Sequence, residues 1–278
     1  MQHRSEPIIA RRPRYGQWAG GAVLAVFAAW VVYQLVTNAG FQWGIVAHYM
    51  LNREVIAGLQ TTCLLTVLVM VIGIVVGLVL AVLKLPGAGV LSLAADLYIW
   101  FFRGTPVLVQ LVFWYNLASL FPQISLGIPF GGPKFFSVSS TLAISSFTAA
   151  LLGLGLNEGA YMAEIIRAGL LSVPPGQSEA AKALGYRRLQ TLRWVVLPQA
   201  MRAILPPTGN QVIGMLKYSS LASIVALPEL MESVENIYSR TFETIPLLIV
   251  ASLWYLVLTT VLSAGQRVIE RRYGERLA

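Results

Sequence analysis

The sequence predicts an all-α polytopic membrane protein with about six transmembrane helices, and three observations carry that prediction. Of its 278 residues, 56% are hydrophobic and only 12% are charged; a soluble domain normally carries about 25% charged residues. Several apolar stretches reach the roughly 20 residues that a helix needs to cross hydrocarbon. Lys and Arg gather in a few short segments between those stretches, as they do in loops on the cytoplasmic side of a membrane. The net charge of +8 is therefore a matter of membrane topology, and no nucleic-acid partner is expected.

Taken in order, the elements begin with a basic tail over residues 1–17, MQHRSEPIIARRPRYGQ. The apolar run from Trp18 to Thr37 is longer than a signal-peptide core and no small-residue cleavage site follows it, so it is expected to stay as a first span. Five more spans are expected over about 58–83, 104–121, 138–157, 199–219 and 245–265. The stretch ADLYIWFFRG, ahead of the third, is either an interfacial helix or the start of that span. Residues 122–137, PQISLGIPFGGPKFFS, read as a Pro- and Gly-rich loop, and 226–240, ALPELMESVENIYSR, as a short surface helix. With the N-terminus inside, inner segments hold 16 Lys and Arg residues, Arg103 among them, against 4 outside (Arg53, Lys134, Lys217 and Arg240). That bias sets both termini in the cytoplasm.

The segment 172–198 is too polar for the bilayer and has its own local logic. Pro174 and Pro175 end the helix before it, because proline disfavours the α conformation in the preceding residue. Ser178 is positioned to cap a new helix with Glu179 in its first turn. Gly185 can take the left-handed conformation that stops that helix, and Tyr186–Leu197 forms a second piece that Pro198 ends. The product is a helix–turn–helix on the cytoplasmic surface. Its alanines, Ala180, Ala181 and Ala183, leave room for a partner surface, or else the whole unit rests on headgroups.

The spacing E-A-A-x3-G-x9-(I/V)-x-L-P, filled by Glu179, Ala180, Ala181, Gly185, Val195, Leu197 and Pro198, resembles the EAA loop of ABC importer permeases. The flanks FFRGTPVLVQLVFWY (101–115), GAYMAEIIRAGLLSVPPGQ (159–177) and LPQAMRAILPPTGNQVIGMLKYSSLAS (197–223) are similar to the polar amino acid permeases of that family. The likeness runs from about Gly58 to the end of the sixth span. The added first span departs from it, as does Tyr218, where many relatives carry an acidic residue.

This resemblance implies a type I ABC importer permease fold, with a transporter domain over 58–267, an extra helix and outer loop over 18–57, and a cytoplasmic tail over 268–278. It further implies that Glu179, Ala180, Ala181 and Gly185, with Leu197 and Pro198 completing the motif, couple the chain to a separate ATPase subunit. ATP and Mg would be bound by that subunit, since no G-x-x-x-x-G-K-[ST] phosphate loop occurs here, and no cofactor is expected in this chain. The other implied partners are a second permease subunit, the same or homologous, a periplasmic solute-binding protein, a polar amino acid and membrane lipid. The implied location is the bacterial inner membrane. Arg187, Arg188 and Arg193 either pair with acidic groups of the ATPase or only satisfy the positive-inside bias.

Polar residues inside spans are functional candidates by default. Asn157, Tyr161 and Glu164 share one helical face, and Glu158 lies beside it. Such a face lines a substrate path, with Glu158 meeting a cationic amino group, or it forms interhelical hydrogen bonds. Asn210 and Gln211 are candidates for a polar solute, and Lys217 for its carboxylate or for snorkelling to the headgroups. Pro206 and Pro207 are expected to kink or unwind their helix, Thr105–Pro106 to break the third span, and Gly73-x-x-x-Gly77 to pack closely on another helix. Glu164 and Arg167 read as a surface ion pair. Cys63 is the only cysteine and reads as a packing residue; His3 and His48 make no metal site. A secondary transporter or channel working without an ATPase is the alternative class. A membrane enzyme would need a cluster of His, Asp or Cys that the sequence does not offer.

Overall fold

A computed structural model of the chain describes residues 15–84, 89–127, 132 and 134–274. Most of the basic tail, the last four residues and part of the expected outer loop lie outside these residues. Helix α1 spans Tyr15–Thr37 and is apolar on every side. None of its most apolar stretch is buried against the rest of the protein. Its tether is a hydrogen bond from Trp43 Nε1 to the Leu35 carbonyl, 2.8 Å. A 3-10 turn (Ala39–Phe41) and α2 (Trp43–Met50) lead to α3, Arg53–Leu83. Asn52 starts α3 by accepting from the Glu54 N–H, which satisfies one orphan donor of the first turn. At 31 residues α3 is about 46 Å long, enough to cross a bilayer with length to spare.

The third expected span is two helices, α4 (Val90–Gly104) and α5 (Val107–Leu120), bent by 104° at Thr105–Pro106. Together they are apolar enough to cross as one broken span. The expected outer loop is in part a β-hairpin: β1 (Gln123–Gly127) pairs antiparallel with β2 (Lys134–Ser139), Ser125 opposite Ser137. Its strands, of 5 and 6 residues, are too short to show a long period-2 pattern. One turn of helix, α6 (Ser140–Ala143), then precedes α7, Ser146–Leu171. The fourth span is thus displaced toward the C-terminus from the expected 138–157, and it carries Asn157, Glu158, Glu164 and Arg167 inside it.

Helices α3 and α7 run parallel and form the centre of the molecule. Gly73 packs on Glu158 and Gly77 on Met162 and Ala163; a Cβ at Gly77 would lie 2.6 Å from Met162 Cβ and 2.8 Å from the Ala163 nitrogen. The favour is returned from α7, where Gly155 receives Ile72 and Gly159 receives Val76. Glycines spaced by four on both helices let the backbones approach, the usual basis of tight packing in lipid. Leu65, Val69, Met70, Leu154, Met162 and Ile166 fill the core around this seam.

After α7 come α8 (Pro175–Ala183), α9 (Arg188–Thr191) and a π-helical turn (Leu192–Val196) that runs without a break into α10, Leu197–Tyr218. Pro198 therefore does not end the second piece. The wider π turn, closed by the Leu197 N–H on the Leu192 carbonyl, gives its ring room and absorbs its missing donor. Pro206 and Pro207 likewise lie within a continuous α10, where Gln266 Nε2 donates to the Pro206 carbonyl at 3.2 Å.

A 3-10 turn (Ser219–Val225) leads to α11 (Leu230–Thr241), followed by α12 (Thr244–Gly274). The expected surface helix is α11, with Leu230, Ser233, Val234 and Ile237 buried against the body. Glu229 caps it and is wholly buried. Its carboxylate accepts from the Glu232 N–H (2.9 Å), Thr62 of α3 (3.2 Å) and Tyr255 of α12 (3.0 Å), so one side chain ties three helices.

Candidate functional site

The bend between α4 and α5 exposes carbonyls that a straight helix would use, and inside a membrane each needs a donor. Gln110, one turn into α5, turns its amide back onto them: Nε2 donates to the Phe102 and Thr105 carbonyls, both at 3.1 Å, and to Thr105 Oγ1 at 2.7 Å. Asn157 of α7 donates to the same Phe102 carbonyl at 2.7 Å and to Gln110 Oε1 at 3.2 Å. Pro106 holds Thr105 extended, at φ −109° and ψ 143°. The break is thereby a fixed corner, locked onto α7.

Inside this corner is a cavity of about 380 Å³, lined among others by Arg103, Thr105, Glu158, Tyr161, Gln211 and Tyr218. Glu158 is only 3% exposed, and its Oε1 has no hydrogen-bond partner among the described residues. The Arg103 guanidinium lies over the Tyr161 ring, 5.2 Å from its centroid, a cation–π contact that orients the cation at the mouth. One acidic and one cationic side chain thus line a single cavity whose walls are otherwise of mixed polar and apolar character, Val107, Leu154 and Met215 among them. Arg103 was read from sequence as an inner-loop charge; it belongs to the cavity, because α4 carries it there.

Of the residues singled out from sequence, Asn157, Glu158, Tyr161 and Gln211 come together here. Asn157 is engaged by the α4–α5 corner. Asn210 is exposed and turned to α12, accepting from Gln266 Nε2 at 3.1 Å, and Lys217 is exposed and does not line the cavity. The register explains the split: Gln211, Met215 and Tyr218 are spaced i, i+4, i+7 on one face of α10, while Asn210 and Lys217 each sit one residue off it. That spacing was available in the sequence.

At the far end of α7, α8 starts at Pro175, with Pro174 as its N-cap. Proline at the first helical position needs no donor, so Ser178 lies inside the helix instead of capping it, and Glu179 lies past the first turn. The stop is at Gly185, whose φ of +84° puts it in the left-handed region. The Gly185 N–H donates to the Lys182 carbonyl at 2.9 Å and the Tyr186 N–H to the Ala181 carbonyl at 3.0 Å, the two bonds of a Schellman motif. Glu179, Ala180, Gly185, Leu197 and Pro198 are exposed, whereas Ala181 is buried within the protein, where α8 packs on the π turn. The outer surface is also more apolar than the alanines suggest: Leu184, Leu189 and Trp194 are each about two-thirds exposed or more.

Comparison with known proteins agrees with this architecture. Residues 70–275 match the family described as binding-protein-dependent transport system inner membrane component. The chain is 42% identical over 274 residues to the arginine transport system permease protein ArgU of Corynebacterium glutamicum, covering 96% of this chain and 84% of that one. It is 36% identical over 217 residues to the glutamine transport system permease protein GlnP of Escherichia coli K12, covering 78% and 91%. A crystal structure of an amino acid ABC transporter with histidines superposes with a TM-score of 0.66 at 38% identity, over 79% of this chain and 94% of that one. The fold is that of a type I importer permease, and the chain belongs to the family of binding-protein-dependent transport system inner membrane components.

Proposed function

We propose that the chain is the membrane-spanning permease subunit of an ATP-driven importer that moves a polar amino acid, or a derivative such as an opine, from a periplasmic binding protein into the cytoplasm. The observation that carries the reading is the presence, in one cavity, of the buried Glu158 carboxylate, one oxygen of which has no hydrogen-bond partner among the described residues, and of the Arg103 guanidinium. An amino acid offers the complementary charges. The likeness to an arginine transport permease over nearly the whole chain favours a cationic side chain on that solute.

In this reading α8 seats in a groove of a partner ATPase, which binds ATP and Mg and performs the hydrolysis; Glu179, Ala180 and Gly185 shape the contact. The exposed Leu184, Leu189 and Trp194 support a protein partner there, since apolar side chains of that size gain by leaving water. A second permease subunit, the same or homologous, completes the pore, and the external solute-binding protein docks at the end of the molecule that carries the hairpin and α11. Both termini face the cytoplasm of a bacterium and the chain sits in its inner membrane.

The test is uptake of a labelled amino acid panel by proteoliposomes holding the chain with its ATPase and binding protein. Import of a basic amino acid that needs ATP and the binding protein is expected. Uptake driven by an ion gradient with no ATPase present would make the chain a secondary transporter and overturn the proposal.

A further inference from the structure

At the α8 end of the molecule, four charged side chains from three elements meet. Lys84, the C-cap of α3, places Nζ 2.8 Å from Asp96 of α4 and 2.8 Å from Glu164 of α7. Arg167, one turn further along α7, donates to the other Glu164 oxygen at 2.8 Å. The Lys84 side chain is only 16% exposed. Two cations and two carboxylates balance, and each carboxylate of the network is shared with a cation on its own or a neighbouring helix. An isolated exposed ion pair contributes little; a shared, partly buried network of this kind holds its members in one geometry.

The position of this network is what gives it a role. On α7, Glu164 lies seven residues, about 10 Å, beyond Asn157 at the cavity, and eleven residues before the start of α8 at Pro175. It therefore lies between the candidate ATPase contact and the candidate substrate cavity. Helix α4 meets α7 through two sets of polar contacts. Near the cavity these are the Tyr98 hydroxyl on the Leu156 carbonyl, 2.8 Å, and Asn157 on the Phe102 carbonyl. Toward α8 the polar contact is Lys84 with its two carboxylates. Helix α4 carries Arg103 at its last turn.

We infer that Lys84 is a positioning residue for transport, a strut that holds the α8-proximal end of α4 to the α3–α7 pair, as the Asn157–Phe102 bond holds its Arg103 end, so that a displacement delivered at α8 carries α4 along without tilting the Arg103 turn against Glu158. With the strut, three helices move as one body. Without it, the near end of α4 is held only by the apolar packing of Ala95 and Ile99 with Leu80, Ala160 and Ala163, which resists separation but not sliding; α4 then pivots about its locked Arg103 end as α7 follows α8, and ATP is hydrolysed with less solute moved. The inference rests on the importer reading above.

The experiment uses the complete complex in proteoliposomes, with ATP hydrolysis and solute uptake measured on the same sample. Lys84→Met is expected to keep hydrolysis stimulated by liganded binding protein within about twofold of wild type while the solute imported per ATP falls about fivefold or more. Lys84→Arg, which keeps the charge and the reach, is expected to restore most of that ratio. Asp96→Asn, at a half-exposed carboxylate that folding can spare, is expected to lower the ratio in the same direction. An unchanged ratio in Lys84→Met and Asp96→Asn overturns the inference. So does a parallel loss of hydrolysis and uptake in an assembled complex, which would make the network structural only. Failure of the wild-type complex to import with ATP would instead overturn the importer reading.

Discussion

Replacing Glu158 by Gln tests the cavity most directly. The side chain keeps its shape, so its packing against Gly73 on α3 is preserved, and the change removes charge alone. Glu158 is 3% exposed and one of its carboxylate oxygens has no hydrogen-bond partner among the described residues, so a cationic group arriving in the cavity would form a charge-assisted hydrogen bond with little water to compete. Such bonds contribute about 1.5–3 kcal/mol, and at about 1.4 kcal/mol per decade that is a loss of roughly 10- to 150-fold in effective affinity. A Coulomb estimate at 4 Å and an effective dielectric of 20 sets a ceiling of about 4 kcal/mol. The assay is concentration-dependent uptake by the reconstituted complex, with a basic and a neutral polar amino acid compared side by side. The expected result is a rise in half-saturation for the basic solute of at least tenfold, with a much smaller rise for the neutral one. Equal effects on both, or unchanged kinetics, would refute the assignment of Glu158 to the solute's cationic group.

Other consequences can be checked by mutation. Gly185→Pro fixes φ near −65° where the chain needs +84° and deletes the N–H that caps Lys182; uptake is expected to be abolished while the protein stays in the membrane at near-normal abundance. Gly77→Val drives side-chain atoms into Met162 and the α7 backbone, so thermal stability of the purified complex should fall, with a cost of about 2 kcal/mol or more. Tyr255→Phe leaves the buried Glu229 carboxylate one donor short and should destabilise the α3–α11–α12 junction by about 1–3 kcal/mol, read as earlier unfolding with unchanged solute preference.

Much of the fold was legible because the bilayer leaves few options. The spans that are apolar throughout, α1, α3 and α12, announce themselves by hydropathy, and Thr105–Pro106 announces a break. The fourth span is displaced for a physical reason: α7 hides Asn157 and Glu164 from lipid by bonding them to polar and charged groups around them. Asn157 meets Gln110 and Phe102, and Glu164 meets Lys84 and Arg167. A hydropathy window counts those groups as if they faced oil and so moves the span toward the apolar residues before them. The outer hairpin was missed because short strands capped by Pro and Gly carry no lasting period.

The sequence by itself determined the class of protein and the short exposed helix α8 with the turn that ends it, since length, charge placement, prolines and a glycine act locally on the chain. Gly185 adopts the conformation its residue type favours, and no distant contact is needed to explain it. Only the tertiary structure decided which polar residues share a cavity. Arg103 joins Glu158 because α4 ends in a 104° corner against α7. Lys84 and Asp96 belong with Glu164 for the same reason: a charge within a helix finds its partner by where the helices cross, and helix crossings are long-range events that no local spacing encodes.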